Sequence, residues 1–197
     1  MKSIQRQSES TIPTTWGKFH MIAFSDQVDD YSPQLALLSK DFDANKTVLV
    51  RVHSECLTGD IFGSKRCDCG EQLHHSLEKI SETNGVLIYL RQEGRGIGLI
   101  NKLKAYNLQD QGLNTQDANV HLGFEPDERS YEVAVKIMQE LGIKKIKLLT
   151  NNPEKLESIE KSSVTLEARV PLIMPFSPGN QKYLETKRDV MGHLLDK

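Results

Sequence analysis

The stretch GVLIYLR, residues 85–91, decides the architecture. Its centre, from Val86 to Leu90, is apolar without a break. A half-exposed strand alternates and an amphipathic helix recurs every three to four residues, so a short unbroken run suits a strand buried on both faces. Working outward, five other runs read as strands: KFHMIAF (18–24), QLALLS (34–39), TVLVRVHS (47–54), KIKLLT (145–150) and VTLEARVPL (164–172). Helical signals lie mostly between or after them. Leu73, Leu77 and Ile80 recur at helical spacing in 71–83. In 98–111, Leu99, Ile100, Leu103 and Tyr106 share one side, and Gly112 is a stop. Ala134, Ile137, Met138 and Leu141 mark 129–141, which Gly142 ends, and Pro153 opens 153–161. The tail 181–195 is a weaker helix. Early strands followed by alternating strands and helices predict one mixed α/β domain over 1–197, α+β-like in its sheet, with a C-terminal helix. The polar residues 1–10 and the final lysine are expected to fray.

With 197 residues the chain can bury a stable core without disulfide staples. Its hydrophobic fraction of 38% and charged fraction of 26% are those of an ordinary globular domain. A formal net charge of -2 provides no global basic field of the kind that marks non-specific nucleic-acid binders, so an anion site must be a local arrangement. The polar start MKSIQRQSESTIPTTWG lacks the apolar core of a signal peptide, and no window nears eighteen consecutive apolar residues. The expectation is a cytoplasmic protein with no membrane partner. In that reducing compartment clustered cysteines mean metal or catalysis more often than disulfides.

All three cysteines lie in CLTGDIFGSKRCDCG, residues 56–70. A two-residue step along an extended chain puts Cys67 and Cys69 on the same side, about 7 Å apart. The loop between Cys56 and Cys67 can fold back toward them. Thiolates suit zinc. Structural zinc sites close with four protein ligands, whereas catalytic sites use three and leave a position for water. Three cysteines lean toward the catalytic arrangement. A structural site completed by His53, His74 or His75, or no metal at all, are the alternatives that spacing leaves open. Glu55 and Asp68, adjacent in sequence, are candidate bases or simply solvated loop charges.

The loop YLRQEGRGIGLINK (89–102) joins the decisive strand to a helix. Gly94, Gly96 and Gly98 leave backbone N–H groups open, but their spacing fits neither the dinucleotide fingerprint nor a Walker A loop. Arg91, Arg95 and Lys102 flank it, and an arginine fork suits phosphate oxygens. In a chain of net charge -2 this suggests a phosphorylated small molecule. Glu93 balances these cations or binds a substrate cation or magnesium. Asp127 and Arg129 precede a helix, where acidic residues are ordinary caps. Thr150, Asn151, Asn152 and Pro153 form a strand-to-helix turn of the kind that faces ligands, with Lys155 just beyond. Periodicity alone places Tyr106 in the core.

Taken together, RVHSECLTGD, RCDCG, RQEGRGIGL, KLKAYNLQDQG, DER and LLTNNPEK resemble GTP cyclohydrolase II, in order, from PTTWG (13–17) to MGHLL (191–195). The resemblance implies that Cys56, Cys67 and Cys69 bind one catalytic Zn2+ and that Mg2+ accompanies the triphosphate. It implies GTP contacts at Arg51, Val52, His53, Ser54, Glu55, Gln72, Glu93, Gly94, Arg95, Thr115, Thr150 and Lys155. Asp127 matches a proton acceptor, Arg129 a nucleophile toward the α-phosphate, and Tyr106 a tyrosine linked to full hydrolysis of the imidazole ring. The implied products are 2,5-diamino-6-(5-phosphoribosylamino)pyrimidin-4(3H)-one, formate and pyrophosphate, in the first step of riboflavin biosynthesis. A homodimer is implied, and at 197 residues the stand-alone form, without the domain that makes dihydroxybutanone phosphate. Two other function classes stand beside the hydrolase. A nucleotide sensor without turnover would not need the full set of cysteines with Tyr106, Asp127 and Arg129. A zinc-stabilised nucleic-acid module would show a broad basic face with exposed aromatics, and aromatics are 6% of this chain.

Overall fold

The computed structural model describes residues 4–175 and 179–195. Seven strands form one mixed sheet in the order β1-β2-β3-β5-β4-β6-β7. They are β1 (Gln5–Thr14), β2 (Gly17–Ser25), β3 (Gln34–Leu38), β4 (Val48–Ser54), β5 (Gly85–Leu90), β6 (Lys145–Leu149) and β7 (Thr165–Val170). The half built from β1, β2, β3 and β5 is antiparallel, whereas β5, β4, β6 and β7 run parallel. Seven helices are described: α1 (Leu57–Asp60), α2 (Cys69–Ser81), α3 (Gly98–Asp110), α4 (Thr115–His121), α5 (Glu132–Glu140), α6 (Pro153–Glu160) and α7 (Gln181–Asp189).

The decisive strand lies where its sequence requires. Val86, Ile88 and Leu90 of β5 pack with α5 in the larger core, and Leu87 and Tyr89 turn to the opposite face with Leu77 and Ile80 of α2. Each fully buried side chain of this kind contributes about 1.5–3 kcal/mol of transfer free energy, so both layers matter to stability. β4 divides in the same way. Val48, Val50 and Val52 enter the larger core, while Leu49 packs on the α2 side. Strand alternation therefore puts Arg51 and His53 on the α2 side.

The connection from β4 to β5 carries α2 over one face of the sheet, and the one from β6 to β7 carries α6 over the other. Neighbouring parallel strands whose outgoing connections part in this way open a crevice at their carboxyl ends. Cys56 follows β4, the turn Glu93–Gly96 follows β5, and Thr150 follows β6, so the three motif segments meet there.

Several sequence expectations are corrected. Residues 5–10 do not fray: they belong to β1, a largely exposed strand held by its ladder to β2. The helix expected over 181–195 ends at Asp189, and the final lysine lies outside the described residues. The single turn α1 and the short α4 add to the expected helices. On α3 the expected apolar side is split: Ile100 is 73% and Leu103 48% exposed, Leu99 and Tyr106 are half-buried, and Lys102 and Ala105 are buried. The inner face of this helix borders the crevice rather than the core, so it carries a charge where periodicity alone expects an apolar stripe.

Candidate active site

The three sulfurs are drawn together by two short elements. Cys56 caps α1 and Cys69 opens α2. The helices touch backbone to backbone, because a Cβ on Gly70 would sit 2.3 Å from the carbonyl oxygen of Gly59. A Cβ on Gly59 would in turn meet Cys67 Sγ at 3.0 Å and Cys56 Sγ at 3.2 Å. The sulfurs lie within 4.8 Å of one another, with Cys56 and Cys67 3.7 Å apart. All three thiols are free.

Among the described residues no fourth metal-ligating side chain joins this cluster. Of the alternatives open in the sequence, His53 spends Nε2 on Asp60 at 3.1 Å, His74 stacks on Trp16, and His75 lies near Glu78. Asp60 also accepts from Cys56 N at 3.0 Å and Tyr89 Oη at 2.8 Å, which fixes the strand end that presents the first cysteine.

The three sulfurs share their protons unequally. Hydrogen bonds from Cys67 and Cys69, then the nearby Lys102 ammonium, push the Cys56 thiol far below its ordinary range. Cys67, which donates to that thiolate, is pushed up to about 11, and Cys69 is raised for the same reason. The buried Lys102 places Nζ 3.1 Å from Cys56 Sγ and 2.8 Å from Glu93 Oε1. Glu93 also accepts from Leu57 N at 2.6 Å and Gly94 N at 2.7 Å. Its carboxylate thus ties the glycine turn to α1, leaving little capacity for substrate.

Two lobes make up the cleft. The first, about 640 Å³, is walled by the cysteines, Glu55, Glu93, Gly94, Arg95, Tyr106 and Thr115. Gly94 and Arg95 both take left-handed backbone conformations, at φ 62. For a non-glycine residue this costs about 1 kcal/mol, a strain found where surrounding structure fixes a functional side chain. Arg95 NH1 and NH2 are buried without a hydrogen-bond partner. Tyr106 lines the cleft, with the Arg66 guanidinium 4.8 Å above its ring; burial raises its pKa. Glu55 is ion-paired with Arg91 at 2.6 Å.

The second lobe, about 550 Å³, is cationic and includes Arg51, His53, Gln72, Thr150 and Lys155. It meets the first at Ser54, Cys69 and Arg129. Arg51 donates to Leu149 O at 3.0 Å and Gln72 Oε1 at 2.7 Å, and burial holds its guanidinium down to about 10. Lys155, with Nζ 2.8 Å from Val52 O, is lowered well below its ordinary range by burial and by Arg51, Arg129 and Lys187. A buried ammonium without a carboxylate beside other cations calls for an anionic ligand. The Thr150 hydroxyl accepts from Asn152 N at 3.0 Å.

Arg129 grips Asp127 through a fork, with Nε 2.8 Å from Oδ1. Burial opposes both charges, yet each is held ionised: Arg129 is raised by Tyr131 and Asp127, and Asp127 lowered by Arg129. Neither is positioned merely as a helix cap, because α5 begins at Glu132.

Val52 can face the site through its main chain alone. The Val52 side chain points into the core on the far face of β4, and only its carbonyl oxygen turns toward the site. Tyr183 and Lys187 carried no motif signal, and Asp60 and His193, although inside RVHSECLTGD and MGHLL, had no role assigned; the structure brings Tyr183, Lys187 and His193 to the cleft.

The chain matches the family model described as GTP cyclohydrolase II over residues 5–171. It is 50% identical over 194 residues to the riboflavin biosynthesis protein RibBA of Bacillus mycoides (strain KBAB4), covering 98% of this chain and 49% of that protein. The same-named protein of Bacillus subtilis (strain 168) is 50% identical over 193 residues, with 98% and 48% covered. The chain spans about half the length of the curated relatives it matches. Among solved structures, RibBX of A. baumannii, a two-domain 3,4-dihydroxy-2-butanone 4-phosphate synthase, gives a TM-score of 0.49 at 20% identity over 89% of this chain and 41% of that one, too slight a likeness to carry a conclusion. A match over most of the chain, with three clustered thiols beside a cationic cleft, makes this chain a member of the GTP cyclohydrolase II family.

Proposed function

We propose that the chain hydrolyses GTP to 2,5-diamino-6-(5-phosphoribosylamino)pyrimidin-4(3H)-one, formate and pyrophosphate, in riboflavin biosynthesis. The observation that carries the reading is the trio of sulfurs lacking a fourth ligating side chain among the described residues, in the wall of the first lobe with Cys69 also lining the second. Cys56, Cys67 and Cys69 would hold a zinc ion, for which soft thiolates are well matched. Bound there, zinc supplies a Lewis acid that makes water a better nucleophile toward purine C8.

The chain's own groups supply the rest. Arg51, Arg95, Arg129 and Lys155 bind and orient the triphosphate, accompanied by Mg2+, and Gln72, Thr150 and Thr115 add polar contacts. Lys102 offsets the negative charge of the thiolates. Tyr106, kept protonated by burial, can donate to the opening imidazole ring. Glu55 is the nearest base preceding the first cysteine. Arg129 acts by stabilising charge on the α-phosphate: its pKa is raised, and its partner Asp127 is held ionised rather than ready to take a proton from it. We carry Val52 as a main-chain contact, and Gly94 and Glu93 as the turn that aims Arg95. The homodimer and the cytoplasmic setting belong to the same proposal; no described helix is long and apolar enough to cross a membrane.

The test is purified protein with GTP and magnesium, following formate and pyrophosphate together, with and without a zinc chelator. Equal release of both products in the metal-stripped sample would overturn the assignment.

A further inference from the structure

The family match ends at residue 171, and yet the chain beyond it returns to the cleft. Leu194 N donates to Asn151 O at 2.9 Å, which anchors the tail beside the turn after β6. On α7, Lys187 Nζ lies 2.8 Å from Asp68 Oδ1, between the second and third cysteines, and both side chains are nearly buried, at 12% and 1% exposed. His193 and Lys187 stand in the wall of the cationic lobe with Arg51, Thr150 and Lys155.

Charge makes this tail more than a cover. The lobe holds Arg51, Arg129, Lys155 and Lys187, and the carboxylates paired there are Asp68 and Asp127. With Asp60 behind His53, three carboxylates face four basic side chains, so basic groups outnumber acidic ones in a part-buried space. His193 Nδ1 is buried with no hydrogen-bond partner. Burial first, then Lys187, Arg129, Lys155 and Arg95, hold that imidazole neutral, pushed down to about 3. An anionic group in the lobe would complement these basic side chains and accept from both tail residues.

We propose that Lys187 and His193 contact substrate phosphate, so that the segment 179–195 completes the polyphosphate subsite. The inference rests on the hydrolase reading of the cleft but is tested apart from turnover. Inorganic tripolyphosphate is titrated into the zinc-loaded full chain by calorimetry, for the native protein, Lys187→Gln and His193→Ala, with zinc content measured on each. Losing a charge-assisted contact should weaken binding at least about tenfold in Lys187→Gln and several-fold in His193→Ala, with zinc retained. Lys187→Arg should restore most of the affinity. Failure of the native protein to bind tripolyphosphate overturns the proposal, as does native affinity in both variants. Zinc loss in Lys187→Gln with unchanged affinity in His193→Ala overturns it too, because Lys187 would then act only through Asp68. If tripolyphosphate binds as stated while GTP yields no formate, the hydrolase reading fails and the subsite stands.

Discussion

Replacing Gly59 by alanine tests the metal centre without touching a ligand. Gly59 lies within α1, where its φ is not positive, so alanine suits the backbone and gains up to about 1 kcal/mol of helix propensity. The new methyl group has no room. It would meet Cys67 Sγ at 3.0 Å, Cys69 Cβ at 3.1 Å and Cys56 Sγ at 3.2 Å, and each of these neighbours must yield by a few tenths of an ångström. Overpacking of this order costs about 1–3 kcal/mol. Because all three contacts belong to the cysteines, the cost falls on the metal site, whose ligand distances tolerate only about 0.2 Å. Zinc affinity should therefore fall roughly 5- to 150-fold, while the zinc-free protein keeps its thermal midpoint to within a few degrees. Competition with a chromophoric chelator measures the affinity, and far-ultraviolet dichroism the fold. Native zinc affinity in Gly59→Ala would refute the claim that these sulfurs converge on one ion.

Cys67→Ser should abolish formate release, and inductively coupled plasma analysis should find the zinc site empty or strongly weakened; pyrophosphate release can survive. Arg129→Lys keeps the charge but loses the fork to Asp127, so kcat/KM should fall about 100- to 1,000-fold. In a single-turnover rapid quench with label in the α-phosphate, no label should remain on the protein while pyrophosphate is released, and a phospho-enzyme would contradict charge stabilisation by Arg129. His193 has a folded pKa of about 3 against about 6.5 unfolded, so the unfolded chain binds the extra proton between those values. Its contribution is therefore complete above about pH 6.5 and lost as pH falls toward 3. His193→Gln should flatten that acid limb in chemical denaturation profiles, and an unchanged limb would show that the imidazole is not buried neutral.

How much could be read in advance depended on whether an element's neighbours are apolar. Val86 to Leu90 announced a strand covered on both faces because burial in a core leaves its mark in every residue of the run. β1 left no such mark: it is nearly all exposed, and the hydrogen bonds that hold it belong to a partner eleven or more residues away at most of its length. The cysteine, arginine and glycine motifs were legible as chemistry, since thiolates and guanidinium groups are chosen for what they bind. Lys187 was not, because a lysine on a polar tail looks like a solvated charge until the fold sets it opposite Asp68, and His193 was legible only as part of MGHLL, with no role, until the fold set it in the lobe of Lys155. Val52 shows how alternation limits what a contiguous motif can present. A contiguous motif from Arg51 to Glu55 looks like one surface, but alternation along β4 sends Val52 into the core. α3 combines the two cases. Its apolar residues Ile100 and Leu103 face outward, and its buried Lys102 faces sulfur and carboxylate. Periodicity identifies the helix correctly and assigns its inner face wrongly, because the interior it borders is a charged cleft rather than a hydrocarbon core.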